Sequence, residues 1–227
     1  MDTVLVPAAA RAVRMHSADP SARLLSRAAK RAFDWLAALL LLVLLLPFFA
    51  LIGGLIMLGG SGPVFFGHLR IGRDGVAFPC LKFRTMFCDA EARLLALLAS
   101  DPQRAAEWAT HRKLDRDPRI TPVGRFLRAT SLDELPQLIN VLRGEMSIVG
   151  PRPVTAEELL RYGVCARAYK SVRPGITGLW QVSGRNNLSY RERVRFDNLY
   201  AREWSVLNDL ILVLRTPYAV ISQRGAK

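Results

Sequence analysis

The sequence is poor in metal-binding side chains. It has three histidines, His16, His68 and His111, and three cysteines, Cys80, Cys88 and Cys165, in 227 residues. The cysteines share no metal-like spacing and their number is odd, so no His/Cys metal cluster can be drawn and a reducing compartment without disulfides is expected. Acidic side chains are also scarce, 19 Asp plus Glu against 32 Lys plus Arg. Such an excess favours a polyanionic partner: nucleic acid, an anionic membrane surface, or phosphorylated substrates. Internal repeats are lacking, and no recognised nucleic-acid-binding motif occurs, so no nucleic-acid partner is expected.

What the chain does have is one long uncharged run, WLAALLLLVLLLPFFALIGGLIML, Trp35 to Leu58. At about 1.5 Å per residue, a helix of this length could cross a hydrocarbon core of about 30 Å. It is too long, and too far from the N-terminus, for the apolar part of a cleaved signal peptide. Arg27, Lys30 and Arg31 precede it, and Arg70, Arg73, Lys82 and Arg84 follow. The positive-inside rule therefore draws both ends towards the cytoplasm. Pro47 removes one backbone hydrogen bond near the middle, and Gly53 and Gly54 loosen the second half. Two readings stay open on the residues alone: a bitopic helix with a tolerated proline, or a helix that enters one leaflet, turns at Pro47 and leaves on the same side. The second leaves backbone groups that lipid cannot satisfy.

Residues 1–26, rich in Ala, Arg and Ser, read as a mobile basic arm suited to anionic lipid. Residues 27–60 form the membrane segment, and 61–227 the remaining domain. In that domain PVFFGHLRIG and VAFPCLKFRTM flank the turn signal Gly72-Arg73-Asp74-Gly75, which predicts a hairpin. Helices are expected over 89–114 with a break near Asp101-Pro102, at the end of DRDPRITPVGRFLRA, and over 133–143, 155–169, 188–202 and 205–215, with Pro217 ending or kinking the last. That last helix has an apolar stripe of Val206, Leu207, Leu210, Ile211 and Leu214, with Asp209 outside it. The stripe suits internal packing or a membrane surface, internal packing being the ordinary choice.

The stretch TSLDELPQLINVLRGEMSIVGPRP, residues 130–153, places two carboxylates side by side, Asp133 and Glu134. Ser131 and Glu134 match a capping box; if Asp133 caps instead, Pro136 falls harmlessly in the first turn. Either start puts both carboxylates at a helix N-terminus, where they complement the macrodipole and where the same N–H groups attract phosphate. A divalent cation would bridge carboxylate and phosphate oxygens, and a carboxylate can itself attack phosphorus. Arg128, Arg143 and Arg152 lie nearby in sequence, Lys82 and Arg84 come from KFRTM, and Arg173 and Arg185 from RPGITGLWQVSGR. Arginine forks suit phosphate oxygens. Taken singly, each of these is equally well a helix-end carboxylate or a solvated surface cation.

KFRTM, LRATSLDELPQLINVLRGEMSIVGPRP, RPGITGLWQVSGR and DNLYAREWSVLNDLILVLRT together resemble the bacterial sugar transferases, monotopic phosphoglycosyl transferases that act on polyprenyl phosphate. The resemblance runs in register from about Lys30 to Arg224. GHLRIG and QVSGRNNLSY are most similar to the members that initiate exopolysaccharide synthesis with galactosyl or glucosyl phosphate. The resemblance implies a mainly α fold with a small β-hairpin, a re-entrant membrane helix broken at Pro47, and a cytoplasmic catalytic domain with interfacial amphipathic helices, on the bacterial inner membrane. It implies a ping-pong transfer in which Asp133 attacks the β-phosphorus of a UDP-sugar, releases UMP, and passes the sugar phosphate to undecaprenyl phosphate. Glu134 would share Mg²⁺ (or Mn²⁺) with Asp133; Arg128 and Arg152 would bind phosphate; Lys82, Arg84, Arg173, Gln181 and Arg185 match further motif positions. Anionic lipid, a second copy of the chain and downstream glycosyltransferases are the partners it adds. The chain departs from the family at Leu46, where many members carry Ser before the helix-breaking Pro. A reading from another class, a non-catalytic basic adaptor anchored to the membrane, accounts for anchor and charge and leaves the Asp-Glu pair unexplained.

Overall fold

The computed structural model describes residues 20–111, 114, 115, 117–184 and 188–221. Most of the expected basic arm, and Arg185, lie outside them. The chain is mainly helical, with two small two-stranded sheets. It divides into two compact units. One takes in the described residues up to Leu44, together with Gly67–Leu81 and everything from Gln137 onward; the other is Leu45–Phe66 and Lys82–Pro136.

Helix α1, Pro20–Leu58, contains the whole apolar run. It is long and apolar enough to cross a membrane, and little of its surface is covered by the protein. The helix extends ahead of the run and is described from Pro20 onward. Helical structure continues through Pro47. The residues before the run do more than mark charge. Lys30 Nζ bonds Asp209 Oδ2 at 2.5 Å and Val149 O at 3.1 Å, and Arg31 bonds Val141 O and Leu142 O at 2.6 and 3.0 Å. The first half of α1 is thus fastened within its own unit by charged side chains.

Strands β1, Phe65–Ile71, and β2, Ala77–Phe83, form the expected hairpin. Its turn has Asp74 and Gly75 at positive φ, 60° and 81°, which is why a glycine follows Asp there. Helices α2, Ala90–Ser100, and α3, Pro102–His111, are separated at Asp101, whose Oδ1 accepts from the N–H groups of Gln103 and Arg104 at 3.0 Å. The break expected near Asp101-Pro102 is therefore a cap followed by Pro at the first helical position. Helix α4, Pro122–Thr130, repeats the device: Thr121 Oγ1 accepts from Gly124 N at 2.9 Å.

Helix α5, Gln137–Arg143, is followed by β3, Ser147–Val149, which pairs in parallel with β4, Gly175–Thr177. This second sheet was not foreseen, since three-residue strands carry no measurable periodicity. It explains glycines in both motifs: a side chain on Gly150 would strike Arg173 O, and one on Gly175 would strike Gly150 N. The helix expected over 155–169 is two short helices, α6, Ala156–Leu160, and α7, Ala166–Lys170, parted by a turn with Gly163 at φ 51°. After α8, Leu179–Ser183, come α9, Tyr190–Glu203, and α10, Val206–Ile221. Helix α10 runs past Pro217 instead of ending there, with Thr216 Oγ1 bonded to Leu212 O at 2.8 Å. The stripe Leu207, Leu210, Ile211 and Leu214 faces outward, and it is Asp209 and Leu212 that are buried. Internal packing of the stripe is overturned because Asp209 has Lys30 and Tyr200 as partners inside.

The core of the second unit is built on the other half of α1. Ile52 and Ile56 pack with Phe83 and Leu127, and Phe49, Val64, Val123, Leu132 and Leu135 close around them.

Candidate active site

Asp133 and Glu134 do not stand on the N-terminus of a regular helix. They lie in a single 3₁₀ turn, Leu132–Glu134, and α5 begins only after Pro136. The residue before the turn, Ser131, has φ 59° and terminates α4, with no capping bond from its side chain. Both capping arrangements drawn from the sequence are thereby corrected. A left-handed residue ends one helix and redirects the chain, and proline delays the next. Leu132 and Leu135, on either side of the pair, are drawn into the core that contains Ile52 and Ile56. The turn is thus pinned at both ends while its carboxylates point the other way.

Lys82, at the end of β2, reaches both. Its Nζ lies 3.4 Å from Asp133 Oδ2 and 2.7 Å from Glu134 Oε1. Asp133 is buried and Glu134 half-buried. Burial pushes the Asp133 carboxyl above its ordinary value, against the pull of Lys82; Glu134 pushes it further up and Arg128 draws it down. An ammonium between two carboxylates, one of them shifted upward by burial, makes this turn a candidate for chemistry.

Arg128, in the last turn of α4, is held by its side: Nε donates to Thr85 Oγ1 at 2.8 Å. Its charge is felt by Asp133 and also by Asp117. Asp117 takes Arg119 in a fork, with Nε 2.9 Å from Oδ1 and Nη2 2.7 Å from Oδ2, and Arg119 lies over the Trp108 ring. Burial pushes the Asp117 carboxyl up, but the hydrogen bonds and charge of Arg119, with the charge of Arg128, hold it below its ordinary value. Thr85, Asp117 and Arg119 were not singled out in the sequence. Thr85 sits inside KFRTM, and the Asp-Pro-Arg order of 117–119 is the one available signal for the second pair.

Arg84 is turned elsewhere. Its guanidinium donates to Ile56 O, Gly60 O and Ser61 O at 3.2, 2.9 and 2.7 Å, and meets Cys88 Sγ at 3.0 Å. It gathers the carbonyls at the end of α1, and a side chain on Gly62, at φ 111°, would collide with it. The cavity beside it, about 400 Å³, is lined mainly by Leu55, Ile56, Met86, Phe87, Pro122 and Val123.

The remaining expected site residues belong to the other unit. Arg173 Nε donates to Gly144 O at 2.7 Å, so it caps the end of α5, and burial lowers its proton affinity. Arg152 is exposed, with its guanidinium 5.8 Å from the Trp180 ring centre. Gln181 Nε2 donates to Ile176 O at 3.2 Å, and its Oε1 is buried without a partner among the described residues.

No group of three or more His, Cys, Asp or Glu side chains among the described residues could hold a metal ion. The donor set at the turn is two carboxylates on adjacent residues, which fits a magnesium-type ion completed by substrate phosphates and water, and does not fit a closed zinc site.

A profile of the bacterial sugar transferase family matches residues 25–223. The chain is 52% identical over 197 residues to the exopolysaccharide production protein ExoY of Sinorhizobium fredii, covering 87% of each chain. It is 49% identical over 201 residues to the UDP-galactose-lipid carrier transferase of Erwinia amylovora, covering 88% of this chain and 42% of that one. Against the undecaprenyl-phosphate galactose phosphotransferase of Salmonella typhimurium it is 47% identical over 201 residues, again covering 88% and 42%.

Proposed function

We propose, since the chain belongs to the bacterial sugar transferase family, that it transfers a hexose 1-phosphate, from UDP-galactose or UDP-glucose, to undecaprenyl phosphate and releases UMP, as the first membrane step of exopolysaccharide synthesis. The observation that carries this reading is the turn itself: Asp133 and Glu134 share one ammonium, Lys82, beside an arginine fixed by its Nε.

In this reading an Asp133 carboxylate oxygen forms a bond to the β-phosphorus as the bond from that phosphorus to the bridging oxygen breaks, and UMP departs with the electron pair. A phosphate oxygen of undecaprenyl phosphate then attacks the same phosphorus and releases Asp133 as a carboxylate. Lys82 draws the Asp133 carboxyl down against burial and would neutralise charge on the diphosphate. Arg128 offers its terminal N–H groups to the phosphoryl oxygens. Arg84 supports the site by fastening the end of α1 to the strand that carries Lys82. Arg152, Arg173, Gln181 and Arg185 are assigned to substrate binding by motif position. Asp133 and Glu134 would hold Mg²⁺ or Mn²⁺, which when bound offsets the negative charge of the diphosphate.

Localisation follows the same reading: the bacterial inner membrane, with the turn facing the cytoplasm. Cationic flanks on both sides of the apolar run, Pro47 within it, and the outward stripe of α10 support a helix that re-enters its own leaflet and a second helix lying in the interface. Single cysteines introduced at Ala28 and at Ser61, both exposed, in an otherwise cysteine-free chain test the re-entry. Both should react with an impermeant maleimide only from the cytoplasmic side; opposite sides would make α1 bitopic.

The activity is tested by UMP release from a panel of UDP-sugars, with undecaprenyl phosphate and Mg²⁺, comparing wild type with Asp133→Asn. Release that depends on Asp133 and on one sugar establishes reaction class and substrate together. An Asp133→Asn protein that releases UMP as wild type does would overturn the reading.

A further inference from the structure

Arg128 is delivered to its place by contacts that begin about two helical turns earlier. Thr85 O accepts from Thr121 N at 3.0 Å, just ahead of α4, and Thr121 then caps the helix. Gly124 lies directly on the Thr85 backbone, so that a side chain there would strike the Thr85 carbonyl. Gly124 and Arg128 are four residues apart and share a helix face. The face that rests on the Thr85 backbone therefore brings the Arg128 guanidinium onto the Thr85 hydroxyl, where Nε meets Oγ1 at 2.8 Å. Thr85 is itself buried, and the neighbouring Met86 is bridged to Ile120, so the hydroxyl has little freedom to follow the arginine.

A guanidinium can present two forked edges, the side edge that includes Nε and the end edge formed by the two terminal nitrogens. Occupation of Nε removes the side edge. Among the described residues no hydrogen-bond acceptor other than Thr85 is in contact with Arg128. The end edge thus stays available, in a pocket of charge that also includes Asp133.

We propose that Thr85 is a positioning residue for the transfer reaction: its hydroxyl fixes Arg128 so that only the end-on fork meets the phosphoryl group. The role rests on the transferase reading for its substrate and not for its geometry. Thr85→Val keeps the shape and β-branching but removes the acceptor; Thr85→Ser keeps the acceptor. The experiment is steady-state UMP release by the full chain in nanodiscs, for wild type, Thr85→Val, Thr85→Ser, Arg128→Ala and the double variant Thr85→Val/Arg128→Ala. Thermal midpoints are recorded alongside.

In the Val variant kcat/KM should fall by about tenfold or more, the range seen when a group that orients another is removed. In the Ser variant it should recover to within about threefold of wild type. On the Arg128→Ala background the Val substitution should add no further loss, because the residue that it orients has gone. A merely structural threonine predicts the opposite: equal losses with and without Arg128, following the thermal midpoints. That pattern, or a Val variant as active as wild type, overturns the proposal. If wild type releases no UMP from any UDP-sugar, the transferase reading fails separately, and the same five proteins are compared for the Kd of UDP. The order expected of kcat/KM then applies to affinity, and equal affinities would overturn the positioning role.

Discussion

Among the described residues a lysine twice lies between two carboxylates, and the two sites differ in how deeply their carboxylates are buried. Lys30 lies 2.5 Å from Asp209 and 3.8 Å from Asp34, whose side chains are 1% and 2% exposed. Lys82 lies 3.4 Å from Asp133 and 2.7 Å from Glu134, whose side chains are 11% and 29% exposed. Around Lys30 the spare capacity is taken: Tyr200 donates to Asp209 Oδ1 at 2.8 Å, Ile148 N to Asp34 Oδ1 at 3.1 Å, and Lys30 itself to Val149 O. At Lys82 the carboxylates are more exposed to solvent. The same three charges thus make a buried fastening in one place and a more accessible cluster in the other, which the proposed reaction uses as its site. A buried pair resists change because breaking it leaves an unpaired charge; a more exposed one can exchange partners.

The largest test of that contrast removes the proposed nucleophile from the more exposed site. Asp133→Asn should lower UMP release by about a thousandfold or more, with the thermal midpoint unchanged or raised, because a partly desolvated carboxyl is replaced by a neutral group. A large drop in midpoint would show instead that the Lys82 site is a fastening as well. The complementary change is Lys30→Met. It leaves Asp34 and Asp209 buried without their cation and should cost about 3 kcal/mol of stability, read from unfolding in a fixed detergent. Lys30→Met/Asp209→Asn should regain part of that loss. If Lys30→Met is neutral, the buried site is not what holds the first half of α1.

The two sites were unequally legible. The Asp-Glu pair stands in an unusual local order, with Leu on both sides and Pro close behind, and motif resemblance marks it. The Lys30 site is assembled from residues up to 179 positions apart, and nothing local marks its members. Lys30 reads as a topogenic charge and Asp209 as the polar interruption of an apolar stripe. Periodicity found the stripe of α10 but could not say which face was inside, because a buried aspartate with a half-buried lysine partner reverses the usual rule. The hairpin and the break at Asp101 were readable because turn and cap chemistry is local. The β3–β4 pair and the 3₁₀ turn were not, since strands of three residues lack a period, and a left-handed Ser131 depends on the helix that it ends.

A further carboxylate extends the comparison to a site with no lysine. Asp197 is buried, and burial pushes its carboxyl up to about 7, against hydrogen bonds from Tyr162 and the Arg152 backbone. The folded protein then keeps a proton that the unfolded chain releases near 3.8. The stability this contributes is full below 3.8 and is lost as pH rises through about 7. Asp197→Asn should therefore remove a downward slope of up to about 1.4 kcal/mol per pH unit in that window. Equal slopes in the two proteins would mean that Asp197 is ionised throughout.

The smallest effect is the most specific to the more exposed site. Asp133 must be a carboxylate to attack phosphorus, and burial has moved its titration upward while Lys82 holds it down. The acid limb of kcat/KM for UMP release should accordingly lie above the ordinary carboxylate range. Lys82→Met removes the opposing charge and leaves Glu134 to push Asp133 further up, so the limb should move to higher pH, whatever becomes of the maximum rate. Glu134→Gln removes a like charge and should move it the other way. A limb that stays in place in both variants would mean that the group titrating in the rate profile is not Asp133. The short contacts to Lys82 would then be a fastening, as those around Lys30 are.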